Sequence, residues 1–263
     1  MSASEAPARG ARDLRGRFTV ADLEVLTEAE ARRFAGHGAD PQADLPLAWE
    51  LLYRLEPELY DRLVRAERLH PAVLRWLPRD LDRIVEVGAG TGRLTLELLD
   101  RAREIVAIEP ASPLRDLLER RLAGVEHGDR ATVVDGFFDD LPVPSGWADL
   151  VVACSAFTPE AGHGGDAGLE EMERVCRPGG CVAIVWPNNL GWLADRGYRY
   201  LSFGDDEMFV EFESAEEAVE MTEIFFPGAA AEVRRGARRH VPFETLGVNP
   251  PRDVAFKVMP ACG

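Results

Sequence analysis

A glycine-rich segment between two apolar runs constrains the fold of this chain more than any other feature. Residues 83–93 read Arg-Ile-Val-Glu-Val-Gly-Ala-Gly-Thr-Gly-Arg. The β-branched run before the glycines is typical of a buried parallel strand, and the leucines after them begin an apolar helix. Glycine permits positive φ and close approach of a ligand, while a helix start offers unpaired N–H groups. The segment therefore predicts a strand–turn–helix junction that binds a ligand.

The spacing of the glycines bears on the identity of that ligand. Gly88, Gly90 and Gly92 give G-x-G-x-G, whereas a dinucleotide fingerprint has its third small residue at the position of Arg93. A bulky charged side chain there would obstruct both the pyrophosphate and the packing of helix on strand. The spacing weighs against NAD, although a nicotinamide-dependent oxidoreductase stays open as an alternative.

Further strand patterns follow at regular intervals. Residues 104–109 form a short apolar run that ends in an acid, and similar runs occupy residues 131–135, 148–153 and 181–186. Helical patterns separate most of them, and this alternation predicts a parallel sheet with right-handed crossovers. An acid at the end of the second strand, about twenty residues after the glycines, is placed to accept hydrogen bonds from ribose hydroxyls.

Several of these motifs together resemble one family. Glu86 before the glycines, "LP" after strand three, "DLVVA" in strand four and "ERVCRPGG" before strand five are similar to class I S-adenosylmethionine-dependent methyltransferases over residues 81–186. The resemblance implies an α/β fold with a Rossmann-like, seven-stranded, mostly parallel sheet whose last strand is antiparallel. Predicted strands at residues 231–241 and 252–259 would supply the closing antiparallel pair. The implied cofactor is S-adenosyl-L-methionine.

The resemblance also implies cofactor-binding residues at the ends of the first four strands. The glycine turn would hold the methionine end, the acid after strand two the ribose hydroxyls, and the turn after strand three the adenine. Many relatives have aspartate where Phe137 stands, so a backbone or apolar contact would replace it here. The cofactor-binding residues predicted in this way are Glu86, Gly88, Ala89, Gly90, Gly92, Glu109, Pro110, Gly136, Phe137, Phe138 and Cys154.

The loop after strand four is the candidate for catalysis. Ligands of open α/β sheets bind beyond the carboxyl ends of the strands, so residues 157–168 should lie over the reacting methyl group. His163 and Glu160 are the best-placed general bases, with an ordinary solvent-exposed loop as the alternative. Residues predicted to contact the acceptor, each of which also suits simple packing, are Trp49, Tyr53, Phe157, Thr158 and Trp192.

Length and composition predict the organisation of the chain. With 263 residues, 46% of them hydrophobic, the chain can bury one substantial core with an extension. We predict a disordered tail over residues 1–17, an N-terminal helical cap over residues 18–80 and the methyltransferase domain over residues 81–263.

Charge and cysteine usage indicate the partners and the compartment. A net charge of −16 opposes attraction to nucleic acid or to an anionic membrane. The exception is a basic cluster at residues 234–240, which we interpret as the charged face of an edge strand. Four cysteines lack paired metal spacing, no apolar stretch approaches membrane length, and residues 1–17 lack a secretory segment. These features predict a cytoplasmic protein without a metal, and leave a homodimer open.

The sequence thus favours methyl transfer to a small-molecule metabolite or natural-product intermediate, with oxygen as the acceptor atom. Two alternatives remain besides the oxidoreductase: a protein that binds S-adenosylmethionine without transferring its methyl group, and a partner-binding protein that has lost cofactor use.

Overall fold

The computed structural model describes residues 12–34, 40–160 and 163–261. Its strands are β1 (Leu81–Val87), β2 (Ala102–Ile108), β3 (Ala131–Val134), β4 (Ala148–Cys154), β5 (Cys176–Val185), β6 (Arg199–Ser202), β7 (Phe209–Glu211), β8 (His240–Pro242) and β9 (Asp253–Val258). Its helices are α1 (Glu28–Phe34), α2 (Leu45–Leu55), α3 (Pro57–Ala66), α4 (Pro71–Trp76), α5 (Thr95–Leu98), α6 (Ser112–Leu122), α7 (Gly165–Val175), α8 (Leu190–Asp195), α9 (Ala215–Phe225), α10 (Ala230–Gly236) and α11 (Phe243–Leu246). Residues 20–25 and 128–130 form 3₁₀ turns.

Seven of the strands form one sheet in the order β3-β2-β1-β4-β5-β9-β6. Strands β1 to β5 are mutually parallel, and β9 runs antiparallel to both β5 and β6. The predicted Rossmann-like, seven-stranded, mostly parallel sheet with an antiparallel last strand is confirmed.

The central strands are buried on both faces. Ile84, Val85 and Val87 of β1 are at most 1% exposed, and residues 150–153 of β4 are fully buried. Helices cover both faces of a parallel sheet, which is why these strands read as continuous apolar runs rather than as an alternation. The strand ends, where side chains become polar, are the part of the sheet that is free to bind a ligand.

The prediction of a strand over residues 231–241 is wrong. Helix α10 occupies Ala230–Gly236, and only the short β8 follows, paired with β7 in a separate two-stranded sheet. Alanine and arginine favour the helix, which ends where Ala237 adopts a left-handed φ of 44°. The outer partner of β9 is β6 instead, so the basic cluster does not lie along an edge strand of the main sheet.

Two other boundaries also differ from the prediction. Helix α7 ends at Val175, and the Arg-Pro-Gly-Gly motif expected to follow the helix forms the first half of β5. The helix after the glycines is one short turn, α5, rather than a run through residue 99.

The chain divides into two compact units. One combines Met1–Arg68 with Asp205–Pro250, and the other combines Leu69–Gly204 with Pro251–Gly263 and contains the seven-stranded sheet. Within the predicted tail, Leu14 is 2% exposed, whereas residues 1–11 lie outside the described residues. The predicted boundaries at residues 17 and 80 stay predictions.

The first unit holds the predicted N-terminal helices. In it, the backbone N–H of Asp13 donates to the carbonyl of Phe225 at 3.2 Å, which ties the start of the described chain to α9. Across the described residues, no helix has both the length and the apolar composition needed to cross a membrane.

Candidate cofactor site

The carboxyl ends of the first four strands gather the residues that the sequence predicted for the cofactor. Gly88 follows β1, Glu109 follows β2, Gly136 follows β3 closely, and Cys154 ends β4. Because β1, β2, β3 and β4 are adjacent and parallel, all four positions lie on one edge of the sheet. Ligands of open α/β sheets bind at this edge.

The glycine turn needs glycine for two reasons. Gly88, Gly90 and Gly92 have φ angles of 72°, 57° and 96°, which other residues adopt only with strain. A Cβ on Gly88 would also lie 2.7 Å from the Cβ of Ala156, and one on Gly92 would lie 2.6 Å from Cδ1 of Leu118. The turn is therefore pressed between the end of β4 and helix α6.

The backbone N–H groups of this turn are bonded within the protein. Those of Gly88 and Ala89 donate to the carbonyl of Ile108, at 2.9 and 3.0 Å, and that of Gly92 donates to Ala89 at 3.0 Å. The N–H of Gly90 donates to Oε2 of Glu109 at 2.9 Å. These four N–H groups are therefore engaged within the protein, whereas the unpaired N–H groups expected at the helix start stay a prediction. Since a pyrophosphate is held by free N–H groups at such a turn, these four offer it no donors.

Glu109 fastens the glycine turn to the next helix. It is 6% exposed, its Oε2 accepts from Gly90, and its Oε1 accepts from the N–H of Ala111 at 2.9 Å. Each carboxylate oxygen can accept a second hydrogen bond, so the predicted contact with ribose hydroxyls remains open to Glu109.

Arg115 links the ends of β2 and β3. Its Nη1 donates to the carbonyls of Glu109 and Pro110, both at 2.7 Å, and to Oδ1 of Asp135 at 3.0 Å. Asp135 therefore forms an ion pair with Arg115. The turn that begins at Gly136 is the next segment of the chain, and it is the segment predicted to contact the adenine.

Glu86 is a buried acid with an unused oxygen. It is 1% exposed, and its Oε2 has no hydrogen-bond partner among the described residues. The same holds for the hydroxyl oxygen of Thr91. Burial raises the pKa of Glu86 to about 8, although the Thr95 hydroxyl and the Arg93 guanidinium act in the opposite direction. Unpaired buried polar atoms are rare in folded proteins and point to a polar ligand.

The raised pKa of Glu86 predicts how the stability of the ligand-free protein depends on pH. A carboxyl group whose pKa is higher in the folded chain than in the unfolded chain stabilises the fold when it is protonated. This stabilisation is complete below the ordinary pKa of 4.5 and is lost as the pH rises to about 8. The free energy of unfolding of the parent, minus that of Glu86→Gln, should therefore fall by about 1.4 kcal/mol per pH unit over this window. Urea titrations of both proteins measure the difference, and a difference independent of pH would contradict the assignment.

Aromatic rings close one side of the turn. Phe138 and Phe157 meet edge to face with ring centroids 4.9 Å apart. A Cβ on Gly88 would lie 3.4 Å from the Phe138 ring, and one on Gly164 would lie 2.5 Å from that of Phe157. Phe157, predicted to contact the acceptor, is 2% exposed and packs in the core of this unit.

The structure brings His163 and Glu160 together in the loop after β4. Nδ1 of His163 lies 4.0 Å from Oε2 of Glu160, with side-chain exposures of 18% and 61%. The N–H of Thr158 donates to the carbonyl of His163 at 3.0 Å, and the N–H of Gly165 donates to that of Thr158 at 3.0 Å. These bonds make a closed turn that presents the two predicted bases side by side. Residues 161–162 of the loop lie outside the described residues.

The remaining predicted acceptor contacts have packing partners of their own. Nε1 of Trp192 donates to Asp166 at 3.1 Å, and the Arg196 guanidinium lies 4.9 Å from its ring centroid. In the other unit, the Trp49 ring stacks on Phe225 at 5.7 Å, and the aromatic ring of Tyr53 meets that of Tyr60 at 4.8 Å. Their roles toward an acceptor stay predictions.

Sequence reasoning missed two strained residues at the same sheet edge. Ser155 follows β4 and Trp186 follows β5, with left-handed φ angles of 54° and 53°. Such backbone costs on the order of 1–3 kcal/mol and clusters at binding sites. The Arg93 guanidinium lies 5.2 Å from the Trp186 ring centroid. Neither residue type signals positive φ in a sequence.

Comparison with known proteins agrees with this geometry. A family model described as a methyltransferase domain matches residues 84–180. An uncharacterized methyltransferase of Mycobacterium tuberculosis is 30% identical over 133 residues, which are 48% of this chain and 50% of that protein. One of Geobacillus kaustophilus is 33% identical over 102 residues, or 39% and 45% of the two chains. The chain thus spans about half the length of these relatives.

A solved structure of an S-adenosylmethionine-dependent methyltransferase from Aquifex aeolicus is also similar. It is 18% identical, with a TM-score of 0.46, over 60% of this chain and 94% of that one.

The strand order defines a Rossmann-like α/β protein, and the glycine turn places a candidate cofactor site at the carboxyl edge of its sheet. The matched residues include that turn, Glu109 and the turn from Gly136. Residues 84–180 match the methyltransferase family, and the chain is similar to the two relatives named above over about half of their length.

The residues present fit the cofactor of this family, S-adenosyl-L-methionine. Glu86 and Glu109 are two buried carboxyl groups, and after burial the charge of Glu109 contributes to the raised pKa of Glu86. S-adenosylmethionine carries an ammonium and a sulfonium and has no phosphate. An acidic site whose loop N–H groups are bonded within the protein suits such a cation better than it suits a dinucleotide.

Proposed function

We propose that this chain transfers the methyl group of S-adenosylmethionine to a small-molecule acceptor. One observation carries the proposal: two buried carboxyl groups, Glu86 and Glu109, flank a glycine turn in which four N–H groups, those of residues 88, 89, 90 and 92, are bonded within the protein. That combination favours a cationic nucleoside ligand without phosphates. The net charge of −16 supports a small acceptor rather than nucleic acid, because a polyanion would be repelled.

The cofactor contacts are proposed residue by residue. Glu86 is the one buried acidic side chain of β1 among the described residues, and its Oε2, which has no hydrogen-bond partner there, would hold the ammonium group. Glu109 would accept the ribose hydroxyls with its remaining lone pairs, and the turn from Gly136 to Phe138 would contact the adenine. Ala89, Pro110 and Cys154 complete the proposed lining.

The chemistry asks little of the protein beyond positioning. When bound, S-adenosylmethionine supplies a methyl group that its sulfonium already activates. Alignment of reactants contributes about 7–11 kcal/mol, whereas a general base contributes about 10²- to 10⁴-fold in rate. The task of this chain's residues is to hold the acceptor atom in place and to exclude water, and oxygen is the acceptor that we favour.

His163 and Glu160 are the proposed bases for an oxygen acceptor. Their loop follows β4 and rests on Phe157, whose ring contacts Phe138 beside the glycine turn. His163 would take the proton from the acceptor hydroxyl, and Oε2 of Glu160 lies 4.0 Å from its Nδ1.

Removal of the imidazole tests this role. We expect His163→Ala to lower kcat by about 10²- to 10⁴-fold and to remove the ionisation of a base from the pH–rate profile. His127→Asn is the matched control, because His127 lies in a left-handed turn before β3 and asparagine tolerates that φ. If both variants kept the parent profile, His163 would have no part in proton transfer.

A panel of acceptors tests the function itself. The protein would be incubated with methyl-labelled S-adenosylmethionine and small molecules bearing hydroxyl, amine or thiol groups. We expect S-adenosylhomocysteine and a labelled product in equal amounts, most strongly with a hydroxyl acceptor. Cofactor binding without any labelled product across the panel would favour the alternative of a binding protein, and binding of NADH instead would favour an oxidoreductase.

The wider setting is also a proposal. The acidic balance of the chain supports a cytoplasmic enzyme of small molecules that does not engage nucleic acid or membranes. Whether it works as a homodimer is a separate question, which sedimentation of the full chain would answer.

A further inference from the structure

A charged cavity lies within the unit formed by Met1–Arg68 and Asp205–Pro250. It encloses about 200 Å³, and four arginines line it: Arg62, Arg65, Arg68 and Arg239. None of them belongs to the candidate cofactor site. Three glutamates share the lining, so the cavity holds one more guanidinium group than its carboxylates balance, and an anion would be attracted to it.

Three of the arginines come from one stretch of chain. Arg62 and Arg65 are three residues apart in α3, so they lie on the same face of that helix, and Arg68 follows its end. Arg239 comes from the segment before β8 and is the only member of the basic cluster at residues 234–240 that lines the cavity.

Arg62 is committed to a structural role. Its Nε lies 2.8 Å from Glu217, and its Nη2 lies 2.8 Å from Glu220. Arg62 donates hydrogen bonds to both carboxylates. These bonds, first the one to Glu220 and then the one to Glu217, raise the pKa of Arg62 further above its ordinary value. Arg62 therefore joins α3 to α9 and forms a fixed wall of the cavity.

The other arginines are less engaged. Arg65 lies 3.7 Å from Glu213 and Arg68 lies 3.2 Å from Glu211, and in both pairs the side chains are well exposed. Exposed pairs of this kind contribute about 0–1 kcal/mol, so a ligand can compete with them. Arg239 has no carboxylate partner within 4 Å among the described residues.

The floor of the cavity is apolar and fixed. Phe212 is 2% exposed and Ala66 is 3% exposed. The N–H of Phe212 donates to the carbonyl of Arg239 at 2.9 Å, which anchors the backbone of Arg239 beside this floor. An apolar floor lowers the local dielectric constant and strengthens the attraction of the guanidinium groups for an anion.

We propose that this cavity binds a small molecule through a compact oxyanion, either a phosphate or a carboxylate group. Four arginines and three glutamates line it, so the lining carries a net charge of +1, in a chain whose net charge is −16. Arginine presents planar pairs of donors that match both kinds of oxyanion. Arg239 would make the principal contact, with Arg65 and Arg68 turning from their glutamates toward the ligand. The proposal is independent of the methyl-transfer reaction.

Calorimetric titration of the full chain with inorganic phosphate and with malonate tests the proposal, at physiological ionic strength. We expect saturable binding of at least one of them, weakened at least about tenfold in Arg239→Gln. Arg235→Gln is the matched control, because it removes the same charge from the same basic cluster. Arg235 is exposed and does not line the cavity.

The comparison of the two probes identifies the ligand class. Binding of phosphate alone indicates a phosphoryl group, and binding of malonate alone indicates a carboxylate. Equal affinity of Arg239→Gln and Arg235→Gln for the anion would overturn the proposal. The anion would then respond to the net charge of the chain and not to Arg239. Saturation by neither probe would overturn it as well. Unchanged S-adenosylhomocysteine binding in Arg239→Gln would show that the cavity is separate from the cofactor site.

Discussion

Glu109→Gln is expected to weaken S-adenosylhomocysteine binding by about 10- to 150-fold, or about 1.5–3 kcal/mol. The carboxylate accepts N–H groups from Gly90 and Ala111, one on each oxygen. An amide in its place turns an N–H₂ group toward one of these donors, so the glycine turn loses an anchor and the ribose hydroxyls lose an acceptor. Calorimetric titration measures the change in affinity.

Glu104→Gln is the matched control for this experiment. Glu104 lies on the same strand, β2, but its side chain is 55% exposed. It forms an ion pair with Arg83 of the neighbouring strand at 3.6 Å. Its removal should leave cofactor affinity unchanged. If Glu109→Gln bound S-adenosylhomocysteine as tightly as Glu104→Gln, the acid after β2 would not belong to the cofactor site.

Gly90→Val should reduce cofactor binding even more. Gly90 has a φ of 57°, which is a strained backbone for a β-branched residue and costs on the order of 1–3 kcal/mol. The turn would relax by moving the Gly90 N–H away from Glu109, and so would disturb both sides of the site. We expect binding to fall by at least about 100-fold while the sheet stays folded, as measured by calorimetry and urea titration together.

A second glycine provides the control. Gly124 follows α6 with no positive φ, and a Cβ there would lie 3.6 Å from its nearest neighbour, an ordinary contact. Gly124→Ala should therefore retain full affinity. Parent-like affinity in Gly90→Val would show that the glycine turn is not where the cofactor binds.

The main sheet could be predicted because its determinants are local. Continuous β-branched runs mark β1, β2 and β4 wherever they occur, and the alternation with helical patterns then fixes a parallel sheet. The closing strand was harder to place, because residues 230–236 contain both helix-favouring alanines and a valine, and the choice between helix and strand depends on tertiary partners. β6 is four residues long and gave no periodic signal.

The site could be predicted in position but not in detail. The sequence identified Gly88, Gly90 and Glu109, but not the hydrogen bond that joins Gly90 to Glu109 across 19 residues. That bond decides whether the turn offers its N–H groups to a ligand, and it exists only once β1 and β2 are paired. The arginine-lined cavity could not be predicted for the same reason, because Arg239 and Arg65 line one space only in the folded unit.

Glu86 illustrates a further limit of local reasoning. Its place before the glycines marked it as a motif residue, but its raised pKa follows from complete burial, which no local pattern specifies. The positions of the acceptor residues are of this kind too, because Trp49 and Trp192 come from segments whose packing is decided far along the chain.

Titration of the ligand-free protein with S-adenosylhomocysteine and, separately, with NADH tests the central claim most directly. That claim is that an acidic site at the carboxyl edge of the sheet, with its loop N–H groups bonded within the protein, selects a nucleoside without phosphates. We predict saturable binding of one S-adenosylhomocysteine per chain, weakened about 10- to 150-fold in Glu109→Gln and unchanged in Glu104→Gln, and no saturable binding of NADH. Saturable NADH binding without binding of S-adenosylhomocysteine would contradict it.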